Sequence, residues 1–254
     1  MSEALLKEFR PGLWLSELSL ADFDVRGAVI VGERSALVWD TLSRPADMAP
    51  VKALLGDASC MVAYSHADWD HVWGTAGLPD CVTIVAHDLC RVRFDTDVPA
   101  KLDAMRSQEP GQWEDVRLIP PAVTFATAMT VDLGGVMVEL HHLPGHTEDC
   151  LIAFVPQWGI FLAGDTVETP FPVVGEAAAI PGWLNSLERW AGDERIETVI
   201  PCHGDIGGRD IIQANIDYLD SLTREAPSAV SDTLSPFYVT THRLNLKAVG
   251  RDAL

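Results

Sequence analysis

Four short polar loops, each directly following an apolar run, constrain this chain more than any other feature. Cys60-Met-Val-Ala-Tyr64 runs into Ser65-His66-Ala67-Asp68-Trp69-Asp70-His71, and the run ending at Leu143 leads into Pro144-Gly-His146-Thr-Glu-Asp149. Gly159 to Ala163 ends at Gly164-Asp165-Thr166, and Thr198-Val-Ile200 ends at Pro201-Cys-His203-Gly-Asp205. The chain has eight histidines, and four of them lie in these loops. A single His or Asp after a strand ordinarily serves as a cap or turn residue, and Asp70 read alone could be a helix N-cap. Four such loops together predict something else. Imidazole and carboxylate bind borderline divalent metals when ligands converge from several elements, so the fold should bring four strand ends face to face. His87, His141, His142 and His242 lie outside the pattern and keep the ordinary reading.

The rest of the chain supplies the elements for such a fold. Gly12-Leu-Trp-Leu15 and Ala28 to Asp40 read as strands, the latter a hairpin turning at Gly32-Glu-Arg-Ser35. Pro45 to Leu55 reads as a helix, Val82 to Ala86 as a strand, and Asp88 to about Gln108 as a charged helical stretch. Val131 to Leu133 and Val136 to Leu143 flank Gly134-Gly135, a hairpin signature. Leu151 to Val155 and Gly159 to Ala163 flank a turn at Pro156-Gln-Trp158. Trp183, Leu184, Leu187 and Trp190 recur at helical spacing, as do Ile212, Ile216, Leu219 and Leu222. Two β-rich halves with helices between them predict two packed sheets with helices outside. With no linker or repeat, residues 1–254 read as one domain, its motif-bearing core about 10–225. Residues 227–254 are a C-terminal extension of unassigned pattern, strand or helix.

Charge narrows the function. Acidic residues outnumber basic ones 37 to 18, a net charge of −19. Nucleic-acid binders rely on a basic face, so nucleic acid is excluded as a partner. No run approaches the roughly 18 apolar residues of a membrane span, and the charged N-terminus is unlike a signal peptide. The five cysteines form no Cys-x-x-Cys pair and read as free thiols. A cytoplasmic enzyme acting on a small molecule is the expectation.

In order and context, the four loops resemble the metallo-β-lactamase superfamily. Its signature is His-x-His-x-Asp-His, then a Pro-Gly-His-Thr loop, a Gly-Asp turn and a last His before Gly. This sequence places His66, Asp70 and His71 on the first motif, followed by His146, Asp165 and His203. Asp40, after Leu37-Val-Trp, resembles the family's strand-ending aspartate. The look is that of the hydrolytic branch containing glyoxalase II and the lactonases. The resemblance implies an α/β (α+β) fold, a four-layer αββα sandwich of two mixed sheets. It also implies two divalent metal ions. His66, Asp68 and His146 would hold metal one, Asp70, His71 and His203 metal two, and Asp165 would bridge. Zinc is the expected metal, with iron or manganese as alternatives, and a homodimer is a family-level expectation.

Asp68 departs from the pattern, since it stands where the signature has its second histidine. The added carboxylate should weaken Lewis acidity, raise the pKa of bound water and harden the site toward iron or manganese. Flavodiiron proteins and some diiron oxygenases carry a carboxylate there, usually the longer Glu. If Asp68 is too short to reach, the centre would be mononuclear. The leading expectation is a metal-dependent hydrolase, in which a metal-bound hydroxide attacks a small ester, thioester, lactone or amide and Asp70 orients the nucleophile. The alternatives are a diiron oxidoreductase and a metal-binding relic without turnover. Trp69 and Trp73 are candidate pocket walls, with Phe171 and Trp183 on the rim. Arg91, Arg93 and Lys101 are cations that either meet an anionic substrate or decorate a solvated helix.

Overall fold

The computed structural model describes residues 4–79, 82–224 and 234–251. Four antiparallel strands begin it: β1 (Leu5–Arg10), β2 (Leu13–Ser19), β3 (Asp24–Val31) and β4 (Ala36–Trp39). The β3–β4 turn falls on Gly32 to Ser35, as the turn chemistry predicts. A 3₁₀ turn at Pro45–Met48 leads into α1 (Ala49–Leu55), after which β5 (Cys60–Ala63) joins β4 in parallel. The short α2 (Trp69–Val72) follows. Then β6 (Thr83–His87) extends the parallel part, α3 (Asp88–Arg93) and α4 (Asp97–Gln108) cross over, and β7 (Val123–Phe125) closes the sheet. The strand order is β1 through β7, antiparallel on one side and parallel on the other.

The second sheet has the order β12-β11-β10-β9-β8. Its strands β8 (Ala128–Asp132), β9 (Met137–His142), β10 (Leu151–Val155) and β11 (Ile160–Gly164) are antiparallel neighbours. Helix α5 (Ile180–Ala191) returns the chain so that β12 (Thr198–Pro201) pairs in parallel with β11. Helices α6 (Asp210–Thr223) and α7 (Pro236–Ala248) finish the described chain.

Period-two alternation sorts the strand residues into layers. Leu151, Ala153 and Val155 of β10 face the other sheet, where they meet Leu13, Ile30 and Leu37. Ile152 and Phe154 point the other way and pack with Phe161, Trp183 and Leu219 against the helices. On the far side Val38, Val62 and Tyr64 pack under Leu55, Phe94 and Leu102. A strand covered on both faces needs no polar residue, which is why these segments read as unbroken apolar runs. Burying a side chain of Leu or Phe size stabilises by roughly 1.5–3 kcal/mol. The result is an α+β sandwich of two mixed sheets with helices outside.

Two expectations shift in detail, and strand β7 goes unpredicted. The charged stretch 88–108 is two helices, because the chain turns at 94–96 and Phe94 swings inward to stack on Tyr64 at 5.9 Å. Strand β7 is three residues long, too short for a periodicity to show. The C-terminal extension is helical over Pro236–Ala248, with Pro236 in its first turn and the Ser235 hydroxyl accepting from Tyr238 N–H. Its start, at 227–233, and its end, at 252–254, lie outside the described residues. Among the described residues no helix is long and apolar enough to cross a membrane.

Candidate metal centre

The four loops meet at one edge of the sandwich, each where a strand leaves its sheet. Asp40 ends β4 in a left-handed conformation, φ 58°. Its buried carboxylate accepts from Ser65 N–H (2.7 Å) and Ser65 Oγ–H (2.7 Å), which pins the loop after β5. The Ser65 carbonyl accepts from Leu151 N–H at the head of β10 (2.7 Å), so one residue ties the two sheet ends together. Gly145 precedes His146 because a Cβ there would strike the Trp183 ring. Gly204 follows His203 at φ +86°, where a side chain would meet Thr169.

All four histidines are held through Nδ1. His71 donates to Asp40 Oδ2 (2.9 Å), His66 to Ser65 Oγ (2.9 Å), His146 to the Val173 carbonyl (3.1 Å) and His203 to the Asp24 carbonyl (2.7 Å). With Nδ1 carrying the proton, each ring presents Nε2 as the free nitrogen. Those four atoms surround Asp165 Oδ2 at 3.6 Å (His66), 3.4 Å (His71), 3.9 Å (His146) and 3.3 Å (His203). On one side, Asp68 Oδ2 lies 3.6 Å from His66 Nε2 and 3.3 Å from His146 Nε2. On the other, Asp70 Oδ2 lies 3.7 Å from His71 Nε2 and 3.6 Å from His203 Nε2.

The donor set suits divalent metal ions. His66 Nε2, His71 Nε2 and Asp165 Oδ1 are buried polar atoms without a hydrogen-bond partner, a costly arrangement unless a ligand is bound. The ligand atoms of His66, Asp68 and His146 lie within 4.8 Å of one another, as do those of Asp70, His71 and His203. The structure thus brings together all seven residues that the sequence motifs single out. Asp70 lies inside α2, so the N-cap reading of it fails.

Electrostatics reinforce the convergence. Burial raises the Asp165 carboxyl, but the surrounding His203, His71 and His66 hold it well below the usual carboxylate range. Burial likewise opposes ionisation of Asp68, yet His66 and His146 hold it well below that range too. Burial disfavours the imidazolium of His146 and His203, but Asp68 and Asp165 drive the first up to about 10, and chiefly Asp165 the second up to about 9. These are the groups of a site that exchanges protons for a cation.

Sequence reasoning missed several neighbours. Glu168 is buried on the pocket wall, within ligand reach of His146 and Asp165, and burial beside the Asp165 charge pushes its carboxyl up to about 7. Arg93 Nη2 donates to Asp68 Oδ1 (2.7 Å) and Nη1 to Asp149 Oδ1 (3.0 Å). Phe23 and Phe237 wall a cavity of about 170 Å³ that opens over the metal-binding atoms. A cavity of about 580 Å³ has His146 in its lining too, with Leu89 and Val92 among the apolar residues and Glu148 and Glu176 among the acidic ones. Nothing in the local spacing of Glu168 or Phe237 marks them.

The pocket expectations divide. Trp69 lines the smaller cavity, while Trp73, with ring centroids 6.1 Å apart from it, is buried but borders a separate cavity of about 220 Å³ beside Asp68. Phe171 and Trp183 are not on the rim. Phe171 stacks on Tyr218 at 4.4 Å in the helical layer, and Trp183 is fully buried, its Nε1–H donating to the Thr166 carbonyl (3.0 Å). Both are apolar enough to be drawn into the core under α5 and α6. Arg91 forms an exposed pair with Asp95, Arg93 faces Asp68, Asp97 and Asp149, and Lys101 borders the cavity of about 220 Å³ beside Asp68 and Trp69.

Comparison with known proteins agrees with this geometry. The metallo-beta-lactamase from Pontibacter korlensis superposes with a TM-score of 0.69 at 17% identity, covering 86% of this chain and 99% of that one. The metallo-beta-lactamase FIM-1 from Pseudomonas aeruginosa, in its mono-zinc form, gives 0.66 at 16%, covering 86% and 96%. The metallo-beta-lactamase from Erythrobacter litoralis gives 0.66 at 18%, covering 87% and 97%. A search of curated proteins finds no match. The sequence profile of the metallo-beta-lactamase superfamily matches residues 24–203, from the start of β3 to the last histidine of the centre. Most of the chain and every motif loop fall inside that match, and the chain belongs to the metallo-beta-lactamase superfamily.

Proposed function

We propose that the protein is a metal-dependent hydrolase of small carbonyl compounds: esters, thioesters, lactones or amides. The observation that carries this reading is the ring of four Nε2 atoms around Asp165 Oδ2, at 3.3–3.9 Å. His66, Asp68 and His146 would hold one divalent ion, Asp70, His71 and His203 a second, and Asp165 would touch both. Bound there, such ions supply Lewis acidity and lower the pKa of water. Zinc is the first expectation.

The chain's own residues do the rest. Asp70 opens on the smaller cavity, where a carboxylate can orient a nucleophilic water or accept its proton. Phe23, Trp69 and Phe237 present apolar faces that exclude bulk water from the scissile group. The smaller cavity admits a compact group, and the larger one beside His146 offers room for the remainder. Arg93 is occupied by acidic partners, whereas Lys101 borders the cavity of about 220 Å³ beside Asp68 and Trp69, where it could meet a negatively charged part of a substrate. A cytoplasmic location and assembly as a homodimer belong to the same proposal, read by fractionation and by sedimentation.

A second reading rests on Asp68. A carboxylate among the donors of metal one favours harder ions, and two iron ions would indicate redox chemistry with dioxygen. Elemental analysis of protein from cells supplied with both zinc and iron, followed by a panel of esters, thioesters, lactones and amides, tests both. About two zinc per chain with turnover supports the hydrolase. Two iron with oxygen consumption supports the oxidoreductase. Tight metal binding with no turnover on the panel supports a non-enzymatic metal binder.

A further inference from the structure

We propose that Arg93 is a positioning residue for metal one, the clamp that lets a carboxylate as short as Asp68 serve where the superfamily signature has histidine. The proposal rests on the two-metal reading above and adds a residue that the signature does not contain. Asp68 has two oxygens with separate duties. Oδ1 accepts from Arg93 Nη2 at 2.7 Å, and this turns Oδ2 toward His146 Nε2 (3.3 Å) and His66 Nε2 (3.6 Å). The aspartate side chain is only 28% exposed, so its rotamer is set by these partners rather than by water.

The same guanidinium grips the loop from a second side. Arg93 Nη1 donates to Asp149 Oδ1 (3.0 Å), and Asp149 Oδ2 accepts from Ala67 N–H (2.9 Å), the residue before Asp68. Asp149 is fully buried, and its carboxylate and that of Asp68 would repel each other without a cation between them. Nε and Nη2 also reach Asp97 at 3.0 and 2.8 Å, which anchors the guanidinium to the start of α4. Every nitrogen of the guanidinium has an acidic partner, so Arg93 is committed to the protein and not to a substrate. A planar fork can bridge two carboxylates in this way, whereas an ammonium is a single point charge.

The test is zinc binding by the full-length chain, measured by titration and by metal content after dialysis, with cobalt(II) absorption as a second probe of each site. Wild type should load two ions. Arg93→Gln should keep the ion held by Asp70, His71 and His203 and bind the other about 10–100-fold more weakly, the usual cost of removing a partner behind a ligand. Arg93→Lys retains a positive charge against Asp149 and so protects the fold, yet should show the same selective loss. The decisive variant is Asp68→His in either background. An imidazole at 68 needs no clamp, so the second ion should return to near wild-type affinity.

A residue that merely supported folding would weaken both ions alike and lower the melting temperature, rather than weaken only the ion held with Asp68. Two tightly bound ions in both Arg93 variants would overturn the proposal. So would an Asp68→His double variant as deficient as its parent. Wild type loading fewer than two ions would overturn the two-metal reading itself, and that result appears before any substitution is made.

Discussion

The two halves of the centre are built from different materials. The half of Asp70, His71 and His203 is wholly buried, and its backing comes from the first sheet: the Asp40 carboxylate at the end of β4 and the Asp24 carbonyl at the start of β3. The half of His66, Asp68 and His146 is partly open, with Asp68 28% and His146 12% exposed. Its backing comes from α3 through Arg93 and from the loop at Val173. Strands locked into a sheet hold their ends more rigidly than loops do, because each is bonded on both sides. The comparison teaches that one fold can carry a tightly backed group of candidate ligands beside a more open one. A departure from the family motif is then best tolerated where it occurs, at position 68.

The largest expected effect comes from the one residue common to both halves. Asp165→Ala should lower binding of both ions and cut hydrolysis by more than about 100-fold, beyond the range for an outer partner. Loss of a single ion in that variant would show that the halves do not share a ligand. Asp40→Asn comes next. It weakens the anchor of His71 directly and that of His66 only through Ser65, so the buried half should lose roughly 10–100-fold in metal affinity and the other half less. Titration of the two sites with cobalt(II) would resolve which one responds, and an equal response in both would break the comparison.

Glu168→Gln should act on the other half, since Glu168 lies within reach of His146 and Asp165. An effect below about tenfold on metal one, with metal two unchanged, is expected for a neighbour with other hydrogen-bonding alternatives. Equilibrium dialysis against zinc reads it directly.

The smallest effect is on stability with metal removed. His146 and His203 are driven up to about 10 and about 9, above the ordinary histidine value of 6.5. A raised folded-state pKa gives stability that is complete below the unfolded value and lost as pH rises through the folded one. Chelator-treated protein should therefore melt at progressively lower temperature between pH 7 and pH 10. Added zinc displaces those protons, so the slope should flatten and apparent zinc affinity should rise with pH. A melting temperature of the chelated protein that climbs over that window would contradict the assignment.

Much of this was legible along the chain. Turn residues at Gly32 to Ser35 and Gly134-Gly135, and unbroken apolar runs such as Leu151 to Val155, mark hairpins and doubly covered strands through local chemistry alone. The four polar loops were legible for the same reason: each begins right after a strand, and strand ends in a layered fold lie on common edges, while the seven candidate ligands came from the resemblance to a family motif. Phe171 and Trp183 misled because an aromatic near a motif reads the same whether it lines a pocket or fills the layer beneath it. Arg93 misled because a cation in a charged helical stretch reads the same whether it faces solvent or a half-buried carboxylate.

What the amino-acid sequence determined by itself was thus the set of elements, their layering and the four polar loops that follow strands. These follow from periodicity, turn chemistry and order, all short-range properties of the chain. Only the tertiary structure decided how Asp68 is used. Its partners Arg93, Asp149 and His146 are distant in sequence, and whether two charges separated by a helix, strands and loops come to lie within 2.7 Å depends on how whole layers pack. No local pattern encodes that distance, so the fitness of an unusual ligand is a property of the packed fold.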